Sequence, residues 1–137
     1  MTDLQAQLQK ERERSAGNLF ISHNHIQLAA ITEDGPEAFV DLVPESHNFS
    51  GGVHGGLLFA LSDYCAAVTA RMDGRRYVTQ TADVHFIRGV KEGRITGRGR
   101  VIHRGRSGCL ADVRITDEDD RLLFQASVFM FCISGRQ

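Results

Sequence analysis

Asp63 is the only acidic residue between Val53 and Ala70, and no Lys or Arg shares that span. It sits among Leu61, Tyr64 and Cys65 in the run SGGVHGGLLFALSDY, residues 50–64. An acid buried without a partner is protonated or destabilising, so this one must reach water, a hydrogen-bond donor or a ligand. It either meets such a partner at a site, or lies at a helix edge and simply sees solvent. The run also carries Gly51, Gly52, Gly55 and Gly56 where the chain enters the apolar stretch. A helix start there presents unpaired N–H groups and a partial positive charge that stabilise an oxyanion; alternatively the glycines only permit a tight loop and close packing. Gly55 and Asp63 are eight positions apart, roughly 12 Å along one helix. They cannot flank one carbonyl within a chain. If both act on the same bond, one comes from a neighbouring subunit, and two-fold pairing creates two equal sites.

The elements that must position these residues follow from periodicity. Val53–Met72 is apolar nearly all round and poor in β-branched residues, which predicts a helix buried on most sides. Ahead of it, His25–Thr32 and Ala38–Val43 read as a hairpin joined across EDGPE. After it, Tyr77–Arg88, Arg94–Arg104, Cys109–Thr116 and Leu122–Ile133 read as strands with short connections, an antiparallel meander. VFMFCI in the last strand is apolar on both faces, which predicts cover on both, by the helix and by a partner subunit. The result is an α+β domain of about six strands curling around a central helix. Residues 1–24 form a polar, helical lead-in arm with a thin stripe at Leu4 and Leu8, leaving 25–137 as the domain.

The chain has 137 residues, enough for one domain with its own core, and no repeat or linker divides it. Its 16 Lys+Arg balance 17 Asp+Glu, so no global field favours nucleic acid or an anionic membrane. No stretch reaches the roughly 18 apolar residues of a spanning helix, and Met1–Glu13 is polar, unlike a secretory leader. A cytoplasmic protein is expected. Cys65, Cys109 and Cys132 lie in apolar runs without metal-like spacing and read as packing residues; His85 and His103 read as ordinary strand residues. Arg94, Arg98 and Arg100 recur on one strand face and read as a solvated stripe paired with Asp112.

NFSGGVHGGLLFALSD (48–63), followed by VTQTADVHFIRG and GRVIHRGRSGCLADVRITDEDDRLLFQASVFMF, resembles the hotdog-fold acyl-CoA thioesterases of the phenylacetate-degradation (PaaI-like) type. The specific element is Asn, six residues to His-Gly-Gly, then Asp nine residues after the His. The resemblance implies a hotdog fold, a six-stranded antiparallel sheet wrapped around a long central helix, and hydrolysis of an acyl- or aryl-CoA to free acid and CoA. It implies that Asp63 is the general base or nucleophile and that the Gly55 N–H polarises the carbonyl. Asn48 then orients the carbonyl or water, His54 shapes the loop, and Thr81 steadies the attacking water. Asn48 and Gly55 of one subunit face Asp63 and Thr81 of the other, in a homodimer or homotetramer. The resemblance further implies that the turn Arg104, Gly105, Arg106 and Ser107 contacts the nucleotide or pantetheine arm, with Arg88 a further candidate; Asp83, which alternates with Thr79, Thr81 and His85, either lines the pocket or satisfies a neighbour. No metal or cofactor is required, and no nucleic acid or membrane partner is expected. The rivals are a non-hydrolytic acyl-CoA-binding or sensing module and a hotdog hydratase built on a His–Asp pair, which does not stand out here.

Overall fold

The computed structural model describes residues 1–134; positions 135–137 of the expected domain lie outside the described residues. The chain runs through two helices, α1 (Asp3–Ala16) and α2 (Leu19–His23), and a hairpin, β1 (Gln27–Thr32) and β2 (Gly35–Asp41). A single turn of 3-10 helix at Pro44–Ser46 leads to the long helix α3 (Gly55–Arg71). Four strands follow: β3 (Tyr77–Phe86), β4 (Arg94–Arg104), β5 (Gly108–Thr116) and β6 (Leu122–Cys132). All six strands form one antiparallel sheet in the order β1-β2-β4-β5-β6-β3.

Helix α3 buries Leu57, Leu58, Leu61, Cys65 and Val68 against Val40, Ile95, Val113, Phe124 and Val128 of the sheet. Glycines set how closely the two layers approach. A Cβ at Gly97 would come within 3.0 Å of the Cys65 Sγ, and one at Gly99 would overlap the Thr69 hydroxyl. With no Cβ there, α3 lies directly on β4. Burial pushes the Cys65 thiol up to about 12, so it packs as an apolar group and is no nucleophile near neutrality.

Two expectations need correction. The hairpin turn is tighter than EDGPE, because Gly35 and Pro36 already pair with Thr32 and Ile31 and β2 ends at Asp41. The four later strands are not a simple meander either, since β3 does not pair with β4. Residues 87–93 instead cross the end of the sheet. Ile87 and Arg88 donate to the Leu123 carbonyl, Val53 donates to the Val90 carbonyl, and Leu42 donates to that of Gly93. These bonds satisfy backbone groups that a hairpin would have satisfied, so β4 can join β2 and β3 becomes an edge. On β6, Val128, Met130 and Cys132 are buried under α3, whereas Phe129 and Phe131 on the other face are half-buried. The arginine stripe lies on that outer face, with Arg94 on Asp41, Arg98 on Glu37 and Arg100 on Asp112.

The arm is docked. Thr2 caps α1 through a reciprocal pair of bonds with Gln5. Buried Glu11 takes both Nε and Nη2 of Arg71 at 2.9 and 2.8 Å, which ties α1 to the end of α3. No described helix is long and apolar enough to cross a membrane.

A second clamp closes the C-terminal end of α3. Asp73 accepts from the Tyr77 hydroxyl at 2.6 Å and from the Arg75 Nε at 2.7 Å, with Arg104 2.8 Å away. Burial raises the Asp73 carboxyl, but the bonds from Tyr77 and Arg75 and the charge of Arg104 outweigh it and hold it at about 2, below its ordinary 3.8. A depressed carboxyl contributes stability that is full above 3.8 and is lost as pH falls through about 2. Asp73→Asn should therefore cost about 1–2 kcal/mol near neutrality. In urea denaturation the gap to wild type should shrink at about pH 2.

Candidate active site

The loop before α3 is built by its own side chains. Asn48 Oδ1 accepts from the N–H groups of Ser50 at 2.9 Å and Gly52 at 3.1 Å, and the Asn48 N–H donates to the Gly52 carbonyl. Gly51 sits at φ 81°, the left-handed region this tight loop requires. The side-chain carbonyl of Asn48 is thus spent on the loop. Its Nδ2 amide has no acceptor among the described residues and remains a donor for a ligand.

His54 is the N-cap of α3. Its Nδ1 accepts from the Gly56 N–H at 2.8 Å, which places the proton of the neutral ring on Nε2. Capping takes up one of the helix's orphan donors and leaves the Gly55 N–H, which bonds no acceptor among the described residues. Phe86 lies against this position, and a Cβ on residue 55 would meet its ring at 3.1 Å. The helix start therefore offers one unspent N–H beside an aromatic wall.

Asp63 lies two turns further along α3, half-buried. Its Oδ1 accepts from the Thr79 hydroxyl at 2.6 Å, and no described donor bonds its other oxygen. Asp63 also lines a cavity of about 390 Å³ between α3 and the N-terminal arm.

Threonine 79, not Thr81, meets the acid within this chain, and a bulge explains why. In β3, Thr79 stands opposite Met130 but Thr81 opposite Phe129, so the register slips by one at Gln80. Directly opposed residues share a face, so Thr79 turns with Met130 towards α3 while Thr81 turns with Phe129 to the outer face. Asp83 and His85 follow Thr81, opposite Ser127 and Gln125, and His85 bonds Gln125. Strict alternation puts Thr79, Thr81, Asp83 and His85 on one face. The bulge separates the first from the rest.

The remaining candidates fall at two ends of α3. Arg88 follows β3 in the crossing segment that also holds the loop before the helix. The turn holding Gly105, Arg106 and Ser107 lies at the opposite end, where Arg75 donates to the Gly105 and Arg106 carbonyls. Arg104 is committed to that end, donating to the Thr69 and Ala70 carbonyls and to the Tyr77 hydroxyl while pairing with Asp73. These bonds make Arg104 a clamp on the helix C-terminus, where a cation complements the dipole. Arg106 and Ser107 stay exposed. Among the described residues no group of three or more His, Cys, Asp or Glu is placed to hold a metal ion.

Sheet and helix together are those of a hotdog fold, and the E. coli PaaI protein, from the phenylacetic acid degradation operon, shares it. It superposes with a TM-score of 0.89 at 18% identity, covering 97% of this chain and 98% of its own. Residues 50–124 match the thioesterase superfamily, and the chain belongs to that family. Rv1847 of Mycobacterium tuberculosis, named as an esterase, is 30% identical over 123 residues, 85% of this chain and 88% of its own. A Streptococcus pneumoniae protein titled a thioesterase, solved with coenzyme A, is 26% identical with a TM-score of 0.75, covering 82% of this chain and 91% of its own. That protein has also been solved with an aspartate, and separately with a threonine sixteen positions later, replaced by alanine.

The two uses of Asn48 can be separated. Asn48→Asp keeps an oxygen for Ser50 and Gly52, so their amides should keep wild-type hydrogen-exchange protection; Asn48→Ala should lose it. Both variants lack the Nδ2 donor.

Proposed function

We propose that this chain is an acyl-CoA thioesterase whose sites are shared between two subunits. The observation that carries this reading is that Asp63, held by the Thr79 hydroxyl, lines a cavity and lies on the same helix whose first N–H is unspent. A half-buried carboxylate with one oxygen fixed and the other available is suited to take a proton from water or to attack carbon directly. In the first route water adds to the thioester carbon as Asp63 takes its proton. The Gly55 N–H of the other subunit, with its Asn48 Nδ2 as a second donor, donates to the carbonyl oxygen as it gains negative charge. The tetrahedral adduct then collapses, the C–S bond breaks, and the proton held by Asp63 passes to the departing thiolate. In the second route the carboxylate itself forms the C–O bond as the C–S bond breaks and the thiolate leaves to take a proton from water, and a second water then hydrolyses the anhydride to the free acid and the Asp63 carboxylate.

Thr79, in place of Thr81, is the residue we assign to holding the acid. The sixteen-residue separation of Asp63 and Thr79 is the same as that of the aspartate and threonine replaced in the streptococcal protein. The dimer follows from the helix: its rise keeps the Gly55 N–H and Asp63 roughly 12 Å apart in one chain. Edge strand β3, exposed from Val78 to Asp83, has an unpaired ladder side that a second copy of the same strand could complete. For the coenzyme, the streptococcal protein's bound coenzyme A supports the choice of substrate class, and Arg88, Arg106 and Ser107 are the exposed groups proposed to meet it.

Thiol release measured across acyl-CoA classes tests the activity. Asp63→Asn should lower kcat by about a hundredfold or more, and Thr79→Ala by about tenfold or more, with Thr81→Ala far milder. A wild type that releases no thiol, or an Asp63→Asn protein at full rate, ends this reading. For the shared site, Asp63→Asn and Asn48→Ala subunits mixed under exchange should recover about a quarter of wild-type activity, because each heterodimer regains one intact site of two. Sites confined to one chain would give no recovery.

A further inference from the structure

The cavity at Asp63 has one wall on α3 and the other on the N-terminal arm. On α3 the lining residues are Ala60, Asp63, Tyr64, Ala67 and Arg71, the first four an i, i+3, i+4, i+7 stripe that brings the acid and two small side chains onto one helix face, the last held by Glu11. Across from them stand Phe20 and Ile21 of α2, with Arg14, Ser15 and Asn18 of the arm beside them. The match to the thioesterase superfamily begins at residue 50, so this second wall lies outside it.

The wall is held at a set distance from the acid. Glu11 grips Arg71, and the Ser15 hydroxyl stands 2.7 Å from that of Tyr64. Because the Ser15 proton is already donated to the Glu11 carbonyl, the Tyr64 hydroxyl is the donor in that pair. Both hydroxyl protons beneath the cavity are therefore spent, and an apolar group can cover them without stranding a donor. The alanines leave the space, and Ala67 lies one further turn past Asp63, about 6 Å along the axis. An acetyl group beside the acid would leave Ala67 and Phe20 untouched.

Resting on the thioesterase reading, we infer that this cavity receives the acyl group, that it selects apolar acyl groups larger than acetyl, and that Phe20 and Ala67 determine which are accepted. The family motif supplies the chemistry, and the arm supplies the choice. An aromatic ring at position 67 would occupy the acyl space, whereas loss of the ring at position 20 would remove one of its walls.

The test is kcat/KM for acetyl-, hexanoyl- and decanoyl-CoA with wild type, Ala67→Phe and Phe20→Ala. Wild type should favour hexanoyl- over acetyl-CoA. Ala67→Phe should lower the decanoyl-to-acetyl ratio by about tenfold or more, and Phe20→Ala should lower the hexanoyl-to-acetyl ratio by about tenfold. Should Ala67→Phe fail to fold, Phe20→Ala decides alone, since that side chain is 60% exposed and its loss leaves the core intact. An active wild type that prefers acetyl-CoA, or Phe20→Ala with unchanged ratios, overturns this inference and leaves the thioesterase reading standing. A wild type that hydrolyses none of the three overturns both.

Discussion

An α-helix advances about 1.5 Å per residue, and the two groups proposed to act on substrate are fixed to one helix eight residues apart. The unspent N–H of Gly55 and the carboxylate of Asp63 are each well placed, yet no rotation of side chains brings them to one carbonyl. The proposed shared site is a consequence of that rigidity. So is the need to hold α3 firmly at both ends. At its start His54 caps the helix, and at its end Arg104 donates to the Thr69 and Ala70 carbonyls.

Local backbone irregularity does as much as any side chain to define the acid's surroundings. One slipped pairing at Gln80 turns Thr79 inward and Thr81 outward, although both belong to the same short run VTQT. A hydroxyl 2.6 Å from the carboxylate orients it, and no described donor bonds the other oxygen. The same slip sends Asp83 and His85 to the outer face with the arginine stripe. Residues that alternate in sequence therefore serve two different surfaces.

The N-terminal arm shows how a polar segment becomes structural. Its apolar stripe is thin, and isolated helices of this length are marginal in water. It is held instead by Glu11 on Arg71 and by Tyr64 on Ser15, bonds whose partners lie about fifty or more residues away. Breaking the buried Glu11–Arg71 pair by removing one partner would leave a charge uncompensated, so the arm is fastened where it meets α3. That fastening gives the cavity at Asp63 its second wall.

Much of this was legible in the chain itself. A long apolar helix, a hairpin ahead of it and strands behind it follow from periodicity, and the lone acid and the glycine-rich helix start follow from residue type and spacing. The physical reason is that burial and helical rise are local properties, carried by neighbours a few residues apart. Strand order, the bulge at Gln80 and the commitment of Arg104 to the end of α3 are long-range facts. Each depends on which distant carbonyl or strand a group finds, a choice that no local pattern records. Tertiary structure alone therefore decided that Thr79 meets Asp63, that β3 is an edge, and that the arm stands across a cavity from the acid.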